Sequence, residues 1–179
     1  AESIVLKAET GSIAGATLGL LVNPAAAAKL VFLGPQPGNL QTFLSGACTR
    51  IFKVEAQDAN NNPSKVSASF QILLANAIPN DGGPGSATFH SDANCANPVV
   101  NNRVSIVEGT TSANFYMRNA VSQALTVSGT AIGPALTPAT IGARFSPSRL
   151  EIQGSGQYFT RLANEALCSG EFNLRTLDA

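Results

Sequence analysis

The stretch Cys48 to Pro63, CTRIFKVEAQDANNNP, decides the fold class. Phe52, Val54 and Ala56 alternate with Ile51, Lys53, Glu55 and Gln57, the two-residue period of a strand with one buried face. The run Asp58-Ala-Asn-Asn-Asn-Pro63 then supplies Asx side chains that close a turn on nearby backbone, and a proline that cannot donate to a ladder. A long strand from Cys48 feeding a tight turn is therefore expected.

Working outward, the same order returns at Cys168 in CSGEFNLRTLDA, which ends at Asp178-Ala179. Leu30 and Leu150, Gly34 and Gly154, Cys48 and Cys168, Phe52 and Phe172, and Asp58 and Asp178 stand 120 residues apart without a gap. Upstream, Ala16 to Pro24 (ATLGLLVNP) matches Ala139 to Pro147 (ATIGARFSP) at a spacing of 123. The difference lies in the linkers, Ala25-Ala-Ala-Ala-Lys29 against Ser148-Arg149. Chance matching in a chain of small residues is the competing explanation, but the shared order of Cys, Phe and Asp-Ala is not compositional. A 120-residue period predicts three parts: residues 1–24 as the closing strands of a preceding repeat, 25–147 as one complete unit, and 148–179 as the opening strands of the next. The chain then begins within a fold and is expected to be a fragment or a processed product.

Punctuation supports an all-β unit. Strands are expected at Ile4 to Ala8, Ala16 to Val22, Lys29 to Phe32, Lys65 to Leu74, Ala87 to His90, Arg103 to Val107, Ala113 to Met117, Leu125 to Ser128 and Ile141 to Phe145. In the Lys65 strand, Val66, Ala68, Phe70 and Ile72 alternate with Ser67, Ser69 and Gln71, which turns Phe70 and Ile72 to the core. Gly/Pro-rich connections separate them, with Pro79-Asn-Asp-Gly-Gly-Pro84 the densest. No window carries a capped helical apolar period, so an all-β sandwich is expected.

The strand ending in Gln57-Asp-Ala-Asn-Asn-Asn-Pro63, the later Glu108-Gly-Thr-Thr-Ser-Ala-Asn-Phe-Tyr116 and Leu125-Thr-Val-Ser128 resemble bacterial immunoglobulin-like repeats of the invasin and intimin type. That family commonly has D-A-x-G-N-P at the turn, and this chain carries Asn61 where glycine is usual. The resemblance covers roughly Lys29 to Pro147. It implies that the all-β fold is an immunoglobulin-like β-sandwich serving as a stalk-forming repeat of a surface protein, and in some members carrying a binding tip.

Eleven basic and eleven acidic residues balance, which disfavours a nucleic-acid partner or an anionic membrane surface. The longest apolar run, Ile13 to Val22, is half the length of a helical membrane span. No Asn-x-Ser/Thr acceptor with a permitted middle residue occurs, which leans towards a bacterial or archaeal surface. In that extracellular setting Cys48 and Cys95 are expected to pair, leaving Cys168 to a partner beyond Ala179; three buried thiols are the alternative.

His90 is the single histidine, so no Ser/His/Asp or multi-histidine arrangement can be assembled. His90, Asp92 and Cys95 lie close in sequence but are few for zinc, Asp81 and Asp92 lack calcium-loop spacing, and Gly154-Ser-Gly156 opens no phosphate loop. Tyr116 and Tyr158 read as sheet residues. The expectation is a non-catalytic structural repeat of a secreted or cell-surface protein, an adhesin stalk or an extracellular filament, without cofactor or metal. Its partners would be neighbouring repeats or copies of itself, paired head to tail by strand complementation. The alternative is an adhesin module that binds a ligand or glycan through loops 34–46 and 76–85.

Overall fold

The computed structural model describes residues 2–10, 13–36, 38–79, 83–153 and 173–177. Strands β1 (Glu2–Thr10) and β2 (Ile13–Val22) form an antiparallel hairpin. Nine strands follow between Lys29 and Ser146: β3 (Lys29–Leu33), β4 (Leu40–Leu44), β5 (Phe52–Gln57), β6 (Phe70–Ala77), β7 (Thr88–His90), β8 (Arg103–Ile106), β9 (Ser112–Arg118), β10 (Ala124–Ile132) and β11 (Ala139–Ser146). A last antiparallel hairpin joins β12 (Arg149–Gln153) to β13 (Asn173–Leu177). Among the described residues the helical content is one 3-10 turn, Val100–Asn102.

The nine strands make two sheets, β3-β5-β9-β7 against β4-β11-β10-β6-β8. This is an immunoglobulin-like sandwich in which β3, β5 and β9 stand as strands A, B and E, and β6, β10 and β11 as C, F and G. The A strand is split: β3 pairs antiparallel with β5, whereas β4 crosses to the other sheet and runs parallel to β11. One departure is topological, because β7, at the edge beside β9, precedes β8, at the edge beside β6.

Alternation fills the space between the sheets. Phe52, Val54 and Ala56 of β5, Phe115 and Met117 of β9, Ile72 and Leu74 of β6, Leu125 and Val127 of β10, and Ala143 and Phe145 of β11 are all at most 1 % exposed. The chain has no tryptophan, and phenylalanines take its place at the centre. Phe115 stacks on Phe52 at 5.4 Å between centroids and meets Phe32 and Phe89 edge-on at 5.7 and 5.9 Å. Such contacts add about 0.5–1.5 kcal/mol each beyond the area they bury. Gly129 of β10 is a glycine for space, since an added Cβ would stand 2.8 Å from Phe32 Cζ.

Three details differ from the sequence expectation. The Cys48 strand starts only at Phe52, and its outer face is not solvated, because Glu55 and Gln57 are 5 % and 9 % exposed. There Lys53 Nζ and Gln57 Nε2 donate to the Glu55 carboxylate at 2.8 and 3.0 Å, so the polar heads satisfy one another under cover. Residues 65–69 form no strand: the Val66 amide donates to Thr110 O and its carbonyl accepts from Gly109, so β6 begins at Phe70, and Ala68 is exposed. Finally, β4 was absent from the expected strands. Two of its residues turn inward: Phe43, whose ring stands 5.6 Å from those of Phe52 and Phe145, and Gln41, fully buried, whose amide accepts from the Gln36 amide and donates to the carbonyls of Gln36 and Gly38, capping the crossing between the sheets.

The hairpin registers repeat. The five pairs of β3–β5, from Lys29↔Gln57 to Leu33↔Lys53, become the five pairs of β12–β13, Arg149↔Leu177 to Gln153↔Asn173, when each number rises by 120. Likewise Ser3↔Leu21 to Ala8↔Ala16 of β1–β2 become Ala124↔Arg144 to Gly129↔Ala139 of β10–β11, with shifts of 121 on the first strand and 123 on the second.

Candidate functional site

Chain direction gives the sandwich two distinct ends. β5 runs from the end that holds Cys48 to the end that holds Asp58, while β3 opposes it and β11 runs parallel to β4. The linker before Lys29 thus meets the Asp58 turn, and the Ala28 amide donates to Gln57 O. The strand that leaves the unit finishes beside Ser45, whose amide donates to Ser146 O. The start of β3 and the end of β11 thus lie at opposite ends of the sandwich, about 27 Å apart along the eight residues of β11.

At the joint, Asp58 is 1 % exposed and acts as a knot. Its Oδ1 accepts from the Asn60 and Asn62 amides at 2.9 Å each, and its Oδ2 accepts from the Ala25 amide at 3.1 Å and from Asn62 Nδ2 at 3.1 Å. Ser64 Oγ donates to Ala25 O at 2.6 Å, closing the linker onto the turn from its other side. These bonds to Asn62, with those from Ala25 and Asn60, hold the carboxyl below the usual carboxylate range against the opposing effect of desolvation. Asn61 has φ 69°, a left-handed conformation that glycine takes freely and asparagine tolerates. Lys29 Nζ donates to Asn61 Oδ1 across the same joint.

Beside the knot lies an open cleft of about 1290 Å³, with Pro24, Ala27, Val66, Phe70, Ile132 and Leu136 among its walls. Loops 34–46 and 76–85 do not line it. They belong to the crossing between sheets and to the Cys48 end, where Ser86 Oγ donates to Asn119 Oδ1 at 2.8 Å.

Cys48 and Cys95 are joined, with Sγ atoms 2.02 Å apart and Cα atoms 5.7 Å apart. The bond ties the lead-in of β5 to the loop after β7, both anchored on β9: the Thr49 amide donates to Met117 O, and the Met117 amide donates to Thr49 Oγ1. Asp92 organises that loop as Asp58 does the turn, accepting from the amides of Asn94, Ala96 and Asn97 at 3.0, 3.2 and 2.7 Å. The Asn97 and Ala96 amides lower its pKa. A disulfide sulfur is not a thiolate, and a carboxylate occupied by three amides has little left to give, so His90, Asp92 and Cys95 do not assemble as ligands. His90 Nε2 pairs with Thr88 Oγ1 at 2.8 Å, and its Nδ1 is buried without a protein partner. Among the described residues no group of three or more His, Cys, Asp or Glu side chains is placed to hold a metal ion. Tyr116 is half-buried on β9. Asp81, Gly154, Gly156, Tyr158, Cys168, Phe172 and Asp178 lie outside the described residues.

Sequence reasoning missed the linker bond from Ala25 to Asp58, which spans 33 residues and leaves no local signature.

No protein-family model matches the chain. No curated protein matches it either. Solved structures share its general backbone course. A glycosyl hydrolase family 2 member from Bacteroides cellulosilyticus aligns over 74 % of this chain at 15 % identity and a TM-score of 0.48. The chain spans only 16 % of that protein. A Salmonella enterica SafA pilin in complex with the SafB chaperone aligns over 76 % of this chain and 68 % of its own at 8 % identity and a TM-score of 0.46. The surface layer protein SbsC, domains 1–6, aligns over 85 % of this chain and 18 % of its own at 11 % identity and 0.40. Likenesses of this size carry no argument about activity or partner.

Proposed function

We propose that residues 25–147 are one complete unit of a tandem array of immunoglobulin-like repeats in a secreted or cell-surface protein, and that the work of the unit is mechanical and non-catalytic. Residues 1–24 are then the closing strands of a preceding unit, and residues 148–179 the opening strands of a following one. The observation that carries this reading is the register identity between β3–β5 and β12–β13, pair for pair at a spacing of 120. A register slip of one residue turns every side chain to the other face, so five matching pairs keep the same partners opposite one another at that spacing.

The ends of the unit support the same reading. The linker arrives at the Asp58 knot and β11 leaves at the opposite end, so units connect as links rather than side by side. A knot that fixes Ala25 to the turn stiffens the joint, as a stalk requires. The invasin and intimin type of repeat suits this arrangement, with Asn61 serving the left-handed position of the usual glycine. The Cys48–Cys95 bond favours an oxidising compartment, outside the cell or on its surface. Among the described residues no helix is long and apolar enough to cross a membrane.

The test is binding against inertness. The full chain is applied to glycan arrays and host-cell surfaces while its unfolding is followed by denaturant. A single cooperative transition of the sandwich with no saturable binding supports the mechanical role. Saturable binding that disappears on replacing loop 34–46 or 76–85 overturns it in favour of a ligand-binding adhesin module.

A further inference from the structure

β8 closes one side of the five-stranded sheet, and its outer edge carries unpaired backbone. Which residues own that edge follows from the ladder on its other side. The Val66 amide donates to Thr110 O and the Gly85 amide to Asn76 O, so even-numbered residues along the chain through β6 aim their backbone groups towards the flank that β8 occupies. With Phe70↔Ile106 and Ile72↔Val104 in register, Ile106 and Val104 are the bonded partners of β6. Strand alternation then turns the amides and carbonyls of Arg103 and Ser105 outward.

The chain itself trims this edge at both ends. The Arg103 amide donates to Val100 O, and Val107 O accepts from the amide and the hydroxyl of Thr110. What stays free among the described residues is Arg103 O, both backbone groups of Ser105, and the Val107 amide. Ser105 is exposed, and Val107 is 56 % exposed.

That set is its own complement. When a second β8 lies antiparallel beside the first with Ser105 opposite Ser105, the two serines exchange both backbone bonds, and each Val107 amide meets the Arg103 carbonyl of the other copy. The Arg103 amide and the Val107 carbonyl face each other in this register, and they are the two groups already satisfied within each chain. Sliding the register by two residues in either direction leaves one Ser105 group of each chain against a group already spent.

Charge follows the same symmetry. A charged side chain on an open edge ordinarily guards it against pairing. Here Arg103 stands at one end of the edge and Glu108 just past the other, so the antiparallel register brings each beside its opposite on the second copy. Among the described residues neither has an ion partner: Arg103 Nη1 donates to Gln71 Oε1 at 3.2 Å, and Glu108 is exposed.

We propose that β8 is a docking edge for β8 of a second copy of this chain, paired antiparallel about Ser105, which joins the two five-stranded sheets into one continuous sheet. The contact is isologous and closes at two. It lies on the flank of the sandwich, uses neither terminal hairpin, and does not depend on the tandem-repeat reading.

Sedimentation equilibrium of the full chain tests it. The wild type should rise with concentration from 18.4 kDa to twice that mass and stop there. Ser105→Pro removes an outward donor while sparing the β6–β8 ladder, a change that an edge position accepts, and this variant should stay at 18.4 kDa. Two charge variants guard against a mere loss of folding. Arg103→Glu and Glu108→Arg should each weaken association about tenfold, and combining them should restore it. The proposal is overturned by a wild type still monomeric at about 1 mM, by growth past the dimer, by a Ser105→Pro variant that dimerises like the wild type, or by a double charge variant no better than the singles. None of these outcomes touches the tandem-repeat reading, which fails instead by saturable loop-dependent binding.

Discussion

The contact between Phe32 and Gly129 should behave as a size lock, and a double-mutant cycle measures it. In Gly129→Ala the new methyl would stand 2.8 Å from Phe32 Cζ, well inside the ~3.5–4.0 Å optimum for carbon atoms, and 3.4 Å from Ile72 Cγ2, at its edge. The Phe32 ring cannot simply swing aside, because it is 8 % exposed and meets Phe115 edge-on at 5.7 Å. Overpacking of this kind costs about 1–3 kcal/mol. Gly129 is not among the glycines with positive φ, so the substitution also gains roughly 0.5–1 kcal/mol from a less flexible unfolded chain. The single change should therefore destabilise by about 1–2 kcal/mol. Phe32→Ile alone loses the ring contact and leaves a void beside Gly129, at about 2 kcal/mol, short of the ~3–5 of complete truncation. In the double variant the methyl occupies part of that void, and the two losses should fall short of additivity by about 1–2 kcal/mol. Urea unfolding provides the midpoints, with unchanged m values as the condition for comparing them. Additivity within about 0.5 kcal/mol would refute the lock.

Other outcomes follow from the same structure. Replacing Cys48 and Cys95 together by alanine opens a loop closed across 47 residues and should cost about 4 kcal/mol, lowering Tm by roughly 15 °C in a calorimetric scan; a drop below about 5 °C would contradict the loop-entropy account. Asp58 has a depressed pKa in the folded chain, so the unfolded chain binds the proton more tightly and the stabilisation, complete above about pH 4, is lost as pH falls through the folded value. Urea midpoints between about pH 6 and pH 2 should fall less steeply for Asp58→Asn than for the wild type, and parallel slopes would argue against the knot. At Asn61, φ 69° predicts that Asn61→Gly is neutral within about 0.5 kcal/mol while Asn61→Val loses about 1–2 kcal/mol, again by urea midpoints.

The strands that announce themselves in the sequence are those in which burial and chemistry agree. In β10 and β11 each inward position is apolar or glycine and most outward ones are small and polar, so Leu125-Thr-Val-Ser and Ile141 to Phe145 are legible without structure. β4 was not, because its inward side pairs an amide, Gln41, with Phe43, while Leu40 and Leu44 are exposed on the other. An amide at a core position reads as surface until the carbonyls and the amide that it caps are known, and those belong to a crossing between sheets that alternation does not encode. Glu55 and Gln57 misled in the opposite sense. They read as solvent-facing because they are polar, yet their hydrogen bonds to each other and to Lys53 satisfy them under cover. The segment 65–69 carries a good strand alternation, but its backbone partners are Thr110 and Gly109, so tertiary bonding overrode a local pattern.

The joint was half legible, and the reason shows what a repeat encodes. Asp58 and Pro63 declare a turn from their own chemistry, since an Asx carboxylate finds amides two and four residues ahead at Asn60 and Asn62. The remaining backbone bond of the carboxylate, from the Ala25 amide, spans 33 residues and has no local signature. It makes the turn a connector as well as a reversal. The periodicity supplies the missing clue: Asp178 recurs at a spacing of 120, and Pro24 and Pro147 recur at 123 on the far side of the linkers. What the sequence repeats is therefore the strand with its Asp-Ala end and the stretch that precedes the linker. The linkers between differ in length, four alanines against a single serine, so turn and linker would recur together without the span between them being the same at each joint. A joint held by one buried carboxylate and one hydroxyl, Asp58 and Ser64 on Ala25, allows that variation, because the bonds take hold of the linker backbone rather than of any particular side chain.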